Sequence, residues 1–429
     1  MDNDSVRYTL TGCVHIIGAG LSGLSAAVEL ANNGIPVIVH EGAGHAGGRC
    51  RSYFDSELDR MIDNGNHLVL SGNHATLNYL RLVGSLDTVK IVKPAEVNFL
   101  DLANNDCWVV RPDKGRIPWS WIRKEGRVPG SSIIDYLKCW RLMRATEDQT
   151  ISDVLPTEGD LWKKFWVPFI VSITNTDAEL ASSGPVRRVV EETLAKGEVA
   201  CRPVLFPLGL TQSLIAPAIE FIRQRGGEVH FNQRINRVQK SYNRITKLYS
   251  PQNQIEIAES DSVIFALPSA TVSQLVNDIN VPNSYSPIVN GHFRLPVSVE
   301  APPVLGLVNG TAEWLFLRND IVSVTVSAAR LIVDFPAEKL AEIFWKDVQL
   351  AYDLKSFSLP PNRIIKEKRA TFLQNPIQLC RRPGPRTHIY NLFLAGDWTK
   401  TGLPATIEGS VRSGVTAAKA AFRNIIKHV

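Results

Sequence analysis

A glycine-rich turn between an apolar run and an alanine-rich run constrains the fold of this chain more than any other feature. The turn spans residues 18–23 and reads GAGLSG, and the apolar residues 13–17 precede it. Residues 24–33 predict a helix that ends at Gly34, and residues 36–40 predict a second apolar strand. This order of strand, turn, helix and strand predicts a βαβ unit, and therefore a parallel sheet, at the start of the chain.

The glycine spacing of the turn is typical of a loop that binds the phosphates of a dinucleotide. Gly18 permits the tight turn, Gly20 lets the backbone approach a pyrophosphate, and Gly23 allows close packing of helix against strand. The helix that follows supplies free N–H donors and the positive end of its dipole, and Leu21 and Ser22 of the turn are assigned to cofactor binding with the glycines. We therefore predict that phosphates bind at this turn.

Glu41 ends the second predicted strand, 23 residues after Gly18. A carboxylate at this place accepts hydrogen bonds from a ribose diol and repels a 2′-phosphate. Both flanking elements and the acid are in place, so a nucleotide site is favoured over a purely structural turn. The motif alone does not separate NAD from FAD.

Two further segments bear on the cofactor. Gly48 and Arg49 belong to a second glycine-rich loop, whose cation can meet a phosphate, and the alternative for Arg49 is a surface salt bridge. Gly396 and Asp397 follow an apolar strand near the C-terminus and precede a long predicted helix, residues 407–426. The Asp397 carboxylate is predicted to bind cofactor, to cap a helix, or to do both, because the two roles use the same helix-end chemistry.

These segments resemble the FAD-dependent amine-oxidase and carotenoid-desaturase superfamily. The resemblance implies non-covalently bound FAD, with Arg49 near the pyrophosphate and Asp397 at the ribityl and pyrophosphate region. It also implies that the backbone of Val238 holds the adenine. The start of the last helix, with Thr406 and Ile407, would aim its positive end at the flavin pyrimidine ring.

Longer segments resemble the hydroxysqualene dehydroxylases, the squalene-associated flavoproteins of bacterial hopanoid synthesis. They are DNGNH at residues 63–67, Asn175-Thr176, PLGL at 207–210 and GDWTKTGLPATIEG at 396–409, the last being the most specific. The resemblance covers residues 12–420, with Asn66 where the family more often has Gln. It implies that Asn64 and Gly65 bind FAD, and that reduced FAD removes the allylic hydroxyl of hydroxysqualene to give squalene.

Two side chains are candidates for the acid that protonates the leaving hydroxyl. His67 follows the DNG turn, and it either donates a proton, orients the hydroxyl, or is a structural histidine with satisfied hydrogen bonds. Glu408 is a candidate if an apolar cavity keeps it protonated, and otherwise it pairs at the helix start or contacts the flavin. No metal site is expected.

An apolar substrate needs an apolar cavity. Trp162, Trp166, Phe169 and Ile170 share one face of a predicted helix, so they either line such a cavity or pack in a core. A second group of aromatic and basic residues contacts a membrane interface or forms a solvated loop. Its members are Trp108, Arg111, Lys114, Arg116, Trp119, Trp121, Arg123 and Lys124.

The predicted fold class is α/β, with a glutathione-reductase-type, Rossmann-like FAD-binding domain interleaved with an α+β substrate domain. The FAD-binding domain is assigned to residues 1–100, 205–267 and 386–429, and the substrate domain to 101–204 and 268–385. A net charge of +5 over 429 residues gives no reason to expect nucleic acid as a partner. The acidic N-terminus without an apolar segment, and cysteines without a CxxC pair, predict a cytoplasmic protein, with peripheral contact at the inner membrane face left open.

Three alternatives remain at this stage. A carotenoid or phytoene-type desaturase uses the same fold and an apolar tunnel, with hydride moving in the opposite direction. A flavin amine oxidase usually has an aromatic residue where this chain has Thr406. A non-catalytic prenyl-binding carrier, like the Rab GDP-dissociation inhibitors, shares the fold, but the intact glycines, Glu41 and Asp397 argue against it.

Overall fold

The computed structural model describes residues 12–115, 122–123 and 126–426. The strands are β1 (Val14–Ile17), β2 (Val37–His40), β3 (Ser52–Asp55), β4 (Arg60–Asp63), β5 (Val69–Leu70), β6 (Lys90–Ile91), β7 (Val97–Asp101), β8 (Cys107–Val110), β9 (Pro203–Leu205), β10 (Glu228–His230), β11 (Arg237–Ser241), β12 (Arg244–Tyr249), β13 (Gln254–Glu256), β14 (Ser262–Phe265), β15 (Tyr285–Arg294), β16 (Val304–Val308), β17 (Trp314–Arg318), β18 (Ile321–Val326), β19 (Asn362–Phe372) and β20 (Leu392–Leu394).

The α-helices are α1 (Leu21–Asn32), α2 (His74–Leu82), α3 (Ile133–Lys138), α4 (Ile151–Val154), α5 (Val167–Thr174), α6 (Ser183–Glu192), α7 (Glu198–Cys201), α8 (Ala216–Gln224), α9 (Ser269–Leu275), α10 (Ala337–Ala351), α11 (Pro376–Leu379) and α12 (Ile407–Ile426). Wider π-helical turns precede α5 and α8, at Trp162–Trp166 and Thr211–Ile215. Tighter 3-10 segments are Leu86–Thr88, Cys139–Arg144 and Leu194–Lys196.

A five-stranded parallel sheet of order β10-β2-β1-β14-β20 holds the predicted βαβ unit. Strand β1 is buried along its whole length, as expected of an apolar strand with neighbours on both sides. Helix α1 begins at Leu21, directly after the glycine turn and three residues earlier than predicted. Helix α12 packs closely on α1, since a Cβ atom on Gly414 would lie 2.3 Å from the carbonyl oxygen of Ser22.

A seven-stranded sheet of order β19-β15-β18-β17-β16-β7-β8 stands beside the parallel sheet. Its neighbours are antiparallel except for β16 and β7. Successive residues alternate between its two faces. Val289, Leu315 and Val324 pack in a core with α10, while Asn290 and Thr325 line a cavity on the other face. The sheet therefore presents polar side chains to a cavity from an otherwise apolar framework.

The fold class predicted from the sequence is confirmed by this α/β architecture and by the structural comparison reported below. All five strands of the parallel sheet come from the three ranges assigned to the nucleotide-binding domain. The domain boundaries remain a proposal, and β7 runs across the one placed at residue 100. Within the described part of the chain, no helix combines the length and apolarity needed to cross a bilayer.

Candidate functional site

A cavity of about 950 Å³ lies between the parallel sheet and the seven-stranded sheet. The parallel-sheet side of its wall is formed by loops at the carboxyl ends of β1, β2 and β14, where ligands bind in open α/β sheets. The other side is formed by inward-facing residues of the seven-stranded sheet and by α5. One continuous cavity thus joins a site for a dinucleotide to a site for a second molecule.

The two glycine-rich loops meet at the nucleotide side of this cavity. Gly18 has a φ of +106°, which side chains rarely adopt, so the turn requires glycine. Gly20 and Gly47 are bridged as in a parallel sheet, which brings the loops together. A Cβ atom on Gly20 would meet no atom within 4 Å, because the position faces open space in the cavity. A side chain there would fill room that a pyrophosphate needs, so the loop fits the group predicted from the sequence.

Gly23 and Gly48 complete the contact between the loops and the helix. A Cβ atom on Gly23 would lie 2.0 Å from the carbonyl oxygen of Gly18, and one on Gly48 would lie 3.6 Å from the Cα atom of Gly20. Leu21 and Ser22, the first residues of α1, also line the cavity. The N-terminus of a twelve-residue helix is therefore available to an anion there.

Glu41 lies at the carboxyl end of β2 and lines the cavity, as predicted. Its Oε2 accepts a hydrogen bond from the N–H of Ala19 at 2.8 Å, and its Oε1 accepts one from the N–H of Ala43 at 2.8 Å. These bonds fix the carboxylate beside the glycine turn. Each oxygen keeps a further lone pair that a ribose hydroxyl can use.

Arg49 and Asp397 form an ion pair at the cavity wall. The distance from Arg49 Nη2 to Asp397 Oδ2 is 2.9 Å, and the Asp397 side chain is 8% exposed while that of Arg49 is 42% exposed. The carboxylate of Asp397 raises the pKa of Arg49 above its usual range. Arg49 also donates to the carbonyl of Ala370. The sequence predicted both residues near a pyrophosphate, and the structure places them together in the same wall as Gly20.

Arg382 holds the segment that carries Asp397, and sequence reasoning missed it. The buried guanidinium donates to the carbonyl oxygens of Thr399 at 2.9 Å and Leu403 at 2.8 Å. It also donates to the carbonyl of Asp397 at 3.1 Å. Desolvation lowers the pKa of Arg382 to about 10. A lone arginine among unrelated residues gives no motif that would have revealed this role.

The start of α12 points at the cavity. The Thr406 hydroxyl accepts a hydrogen bond from the N–H of Gly409 at 3.1 Å, so Thr406 caps the helix, and Thr406, Ile407 and Ser410 line the cavity. Gly396 donates its N–H to the Ser413 hydroxyl at 2.9 Å, which ties the strand end to this helix. The positive end of the α12 dipole therefore faces the cavity, as predicted.

Val238 does not line the cavity. It lies in β11, paired with Leu248 of β12, and packs in a separate core. Gln233, Arg234 and Ile235, which precede β11, line the cavity. The contact between the Val238 backbone and the adenine therefore stays a prediction, and the chain leaves the cavity as it enters β11.

The DNGNH segment forms a polar patch beside the second glycine loop. Asn64, Gly65, Asn66 and His67 all line the cavity. Asn66 Nδ2 donates to the Thr325 hydroxyl at 3.0 Å, and that hydroxyl donates to the side-chain oxygen of an asparagine in β15 at 2.9 Å. The patch is thus anchored to the seven-stranded sheet by strand residues distant in sequence.

His67 is a half-buried histidine at the cavity wall. Its Nδ1 donates to the carbonyl of Asn66 at 2.9 Å, so the nitrogen that gains or loses a proton is Nε2. Burial lowers the pKa of His67, but the Cys50 side chain, the Asn66 carbonyl and the Asp63 carboxylate raise it, and the net shift is upward. Such a histidine keeps its proton to a higher pH than a free imidazole does, which suits an acid.

Glu408 does not reach the cavity, which corrects its assignment as a candidate acid. Its oxygens accept hydrogen bonds from the N–H groups of Ala75 at 3.0 Å and Thr76 at 2.8 Å, at the start of α2. It also pairs with Arg412 at 2.8 Å, and Arg412 pairs in turn with Glu192. The Glu408 carboxylate is committed to holding α2 against α12, so it has no route to a substrate in the cavity.

The aromatic helix divides between a buried core and the cavity. Trp162, Trp166 and Ile170 pack in a buried core, while Phe165 and Phe169 line the cavity. The π-helical turn at Trp162–Trp166 has a wider pitch, which rotates its residues relative to an α-helix. Of the two roles predicted for this face, core packing holds for the tryptophans and Ile170, and the cavity wall for Phe169.

Trp108, a member of the aromatic and basic group, is buried. Its side chain is 8% exposed and stacks on Phe99, with ring centroids 5.4 Å apart. Trp119, Trp121, Arg116 and Lys124 lie outside the described residues. Trp108 is therefore a packing residue, and membrane contact by the rest of the group stays a prediction.

Other wall residues had no predicted role at the cavity. Cys50 follows the second glycine loop directly and lies on the cavity near His67. Asn290 of β15 and Trp314 of β17 come from strands that the sequence left unread. Asn175, part of the family resemblance, lines the cavity, and its amide donates to the Ser286 carbonyl at 3.0 Å. Alternation of polar and apolar residues in β15 and β18 could have predicted the inward-facing set.

Comparison with known proteins defines the class. The model of the flavin containing amine oxidoreductase family matches residues 21–131 and 202–421. Among solved structures, the chain is similar to cyclohexylamine oxidase from Brevibacterium oxydans, with a TM-score of 0.73 at 13% identity, over 97% of this chain and 99% of that one. The fold and the cavity thus define a flavin-dependent oxidoreductase of the amine oxidase fold.

Two relatives define the family more narrowly. The chain is 42% identical to hydroxysqualene dehydroxylase from Sinorhizobium fredii, over 95% of this chain and 98% of that protein. It is 40% identical to hydroxysqualene dehydroxylase from Zymomonas mobilis, again over 95% and 98%. The chain belongs to the hydroxysqualene dehydroxylase family, within the flavin containing amine oxidoreductases.

Proposed function

We propose that this enzyme binds FAD and reductively removes the allylic hydroxyl of hydroxysqualene to give squalene. The observation that carries the proposal is the single cavity of about 950 Å³ that joins the two glycine loops to an aromatic wall. The balance is one alcohol, one proton and one hydride in, and one hydrocarbon and one water out. The relatives named above support this reaction for the present chain.

FAD rather than another flavin is supported by the paired glycine loops, which provide for a dinucleotide. Gly20 leaves room for a pyrophosphate, Arg49 can meet its charge, and Glu41 can accept bonds from the adenosine ribose. The N-termini of α1 and α12 add two positive dipole ends. Bound in its reduced form, FAD supplies the hydride for the reaction.

The protein itself must supply the proton and exclude water from the reacting carbon. Hydroxide is a poor leaving group, so the substrate oxygen must receive a proton as its bond to carbon breaks. His67 is the proposed donor, because its Nε2 is the titrating nitrogen and its pKa is raised. Phe165 and Phe169 supply apolar surface, with rings stacked 5.7 Å apart, that excludes water from a carbocation.

The seven-stranded sheet adds polar side chains to the cavity wall as well as aromatic rings, among them Asn290, Thr325 and Arg369. Asn66 donates a hydrogen bond to the Thr325 hydroxyl, which in turn donates to Asn290. A long isoprenoid chain can lie against the aromatic part of the wall, at Phe165 and Phe169. For location we propose the cytoplasm, with the enzyme in peripheral contact with the inner face of the membrane.

The decisive experiment is incubation of the purified protein with hydroxysqualene and chemically reduced FAD, with mass analysis of the extracted lipid. We expect squalene, and deuterium at the former carbinol carbon when the reduced flavin carries deuterium at the transferable position. The control contains oxidised FAD and no reductant. Conversion of a polyene by oxidised FAD, with none of hydroxysqualene by reduced FAD, would instead identify a desaturase.

A further inference from the structure

An exposed apolar face lies on α3 and the 3-10 segment that continues it, Cys139–Arg144. Its members are Ile133, Ile134, Leu137 and Trp140, whose side chains are 40%, 62%, 59% and 60% exposed. They recur at the spacing of one helical face. On the opposite face, Tyr136 and Leu142 are buried in a core. The helix therefore carries apolar residues on both sides, one of them turned to solvent.

Positive charge is concentrated in the same part of the chain. Residues 111–144, which we call the basic segment, contain nine Lys or Arg and three Asp or Glu, a net charge of +6. The whole chain carries +5, so all other residues together carry a net charge of −1. Lys138, Arg141 and Arg144 are exposed beside the apolar face. Cationic and apolar side chains on one exposed helical surface are typical of a segment that lies in a membrane interface.

The basic segment touches the wall of the cavity at two places. Pro112, near its start, lines the cavity. Toward its end, the sulfur of Cys139 accepts a hydrogen bond from Trp166 Nε1 at 3.1 Å. The Trp166 ring contacts that of Phe165, a wall residue, with centroids 5.1 Å apart. A chain of contacts through Cys139, Trp166 and Phe165 therefore links the helix that carries the exposed apolar face to the cavity wall.

We propose that the exposed apolar face and its flanking cations dock the enzyme on an anionic lipid bilayer. The apolar side chains would enter the boundary between headgroups and acyl chains, and Lys138, Arg141 and Arg144 would meet anionic headgroups. The role of this docking rests on the proposed function, because an isoprenoid substrate partitions into the bilayer. Docking places the wall at Phe165 beside the phase that holds the substrate.

A second copy of this chain is a poorer occupant for the same face. A symmetric dimer would bring two identical surfaces together, so Lys138, Arg141 and Arg144 of one copy would face the same cations of the other. Like charges brought together at an interface oppose association. An anionic bilayer neutralises the same charges. The charge of the segment therefore selects the bilayer over self-association.

The test is co-sedimentation of the FAD-loaded enzyme with vesicles of phosphatidylcholine, with or without phosphatidylglycerol, and without any substrate. We expect strong binding to the mixed vesicles and weak binding to phosphatidylcholine alone. The double variant Arg141→Gln with Arg144→Gln should weaken binding to mixed vesicles by roughly tenfold or more, at about 1 kcal/mol for each cation. Leu137→Ser with Trp140→Ser should weaken it by a similar factor, through lost apolar burial.

Matched variants elsewhere on the surface serve as controls. Leu331→Ser removes a side chain that is 90% exposed, and Lys346→Gln with Lys355→Gln removes two exposed cations. Neither control should change vesicle binding. Equal losses in the control and test variants, or no binding by the unmodified enzyme, would overturn the proposal. So would a dimer in solution that Leu137→Ser with Trp140→Ser converts to a monomer, because the face would then serve self-association.

Activity separates this proposal from the proposed function. The docking variants should keep near-normal turnover of hydroxysqualene in detergent and lose turnover when the substrate is embedded in mixed vesicles. A protein that binds vesicles but never produces squalene would retain the docking surface and refute the dehydroxylase activity. If all variants produced squalene equally well from detergent and from mixed vesicles, the dehydroxylase activity would stand and the docking surface would be refuted.

Discussion

The two sides of the cavity are built on opposite plans. On the side of the parallel sheet, short loops of adjacent residues supply backbone N–H groups and charged side chains that are already paired, as with Glu41, Arg49 and Asp397. On the side of the seven-stranded sheet, single residues from α5, β15, β17 and β18 supply aromatic rings and a small hydrogen-bonded patch. The first side suits an anionic cofactor and the second an apolar substrate.

This difference shows what each ligand demands of the chain. A pyrophosphate is recognised by backbone donors, which only a glycine turn at a helix start can bring close enough. An apolar substrate requires shape and the exclusion of water, which many combinations of side chains provide. Substitutions on the first side should therefore affect cofactor occupancy, and those on the second should affect turnover while the cofactor stays bound.

Gly20→Val should have the largest effect, because it weakens binding of the cofactor itself. The added side chain would occupy the open space at Gly20, and a displaced pyrophosphate loses hydrogen bonds to a charged group, each worth about 1.5–3 kcal/mol. Two such bonds correspond to a loss in affinity of roughly 100-fold or more. Fluorescence titration of the apoprotein with FAD measures this.

Because no protein atom lies within 4 Å of the new Cβ, the Gly20→Val apoprotein should keep its fold. Gly23→Val is the contrasting variant, because its Cβ would lie 2.0 Å from a backbone oxygen and should disrupt folding. Normal FAD affinity in Gly20→Val would show that the cofactor does not use this loop.

His67→Gln should reduce turnover by roughly 100- to 10,000-fold while FAD stays bound, because it removes a proton donor without touching the glycine loops. The wild-type rate should fall as pH rises through the raised pKa of His67, since only the protonated form donates. The remaining activity of His67→Gln should lack that fall. Stopped-flow oxidation of the reduced flavin by substrate measures both, and an unchanged pH profile would exclude His67 as the donor.

Glu408→Ala should destabilise the fold rather than slow the chemical step. It leaves Arg412 with one partner fewer and frees two N–H groups at the start of α2, and breaking a buried pair costs about 3–5 kcal/mol. Thermal unfolding with bound FAD measures the loss. At a temperature where the variant remains folded, turnover per bound flavin should equal that of the wild type, and a large drop would restore Glu408 as a candidate acid.

Phe169→Ala should impair the substrate side selectively. It removes a ring that stacks on Phe165 at 5.7 Å and opens the apolar wall, so KM for hydroxysqualene should rise by roughly tenfold, given about 1–3 kcal/mol for lost apolar contact. Affinity for FAD should not change. Trp162→Phe is the matched control, because Trp162 lies in the core behind the wall. An equal KM effect in both variants would contradict the face assigned to the cavity.

The smallest effect is expected at Glu313, whose carboxyl group has different surroundings from that of Asp397. Unlike Asp397, it has no cationic partner among the described residues, and burial raises its pKa to about 7. The folded state therefore holds the proton more tightly, and stability should fall as pH rises from the ordinary value of 4.5 through about 7. Glu313→Gln should remove this fall, worth about 1–3 kcal/mol. Unfolding by urea at pH 5 and pH 8 measures it.

The parallel-sheet side could be predicted almost entirely from the sequence. The βαβ unit, the helix at 407–426 and the meeting of Gly20, Arg49 and Asp397 in one cavity follow from local patterns and from the resemblance they carry. Local patterns suffice because the cofactor binds to backbone groups, and glycine positions determine where that backbone can go. Val238 is the exception, because it lies in β11 and does not line the cavity.

The substrate side could not be predicted in the same way. Whether Trp166 or Phe165 faces the cavity depends on a π-helical turn, which the spacing of the apolar residues does not indicate. The hydrogen-bond donors that hold the Glu408 carboxylate lie in α2, more than 300 residues earlier in the chain. The sequence by itself determined the fold class and the cofactor loops, because those rest on local backbone geometry. Only the tertiary structure decided which side chains meet the substrate, because residues distant in sequence compete for the same partners.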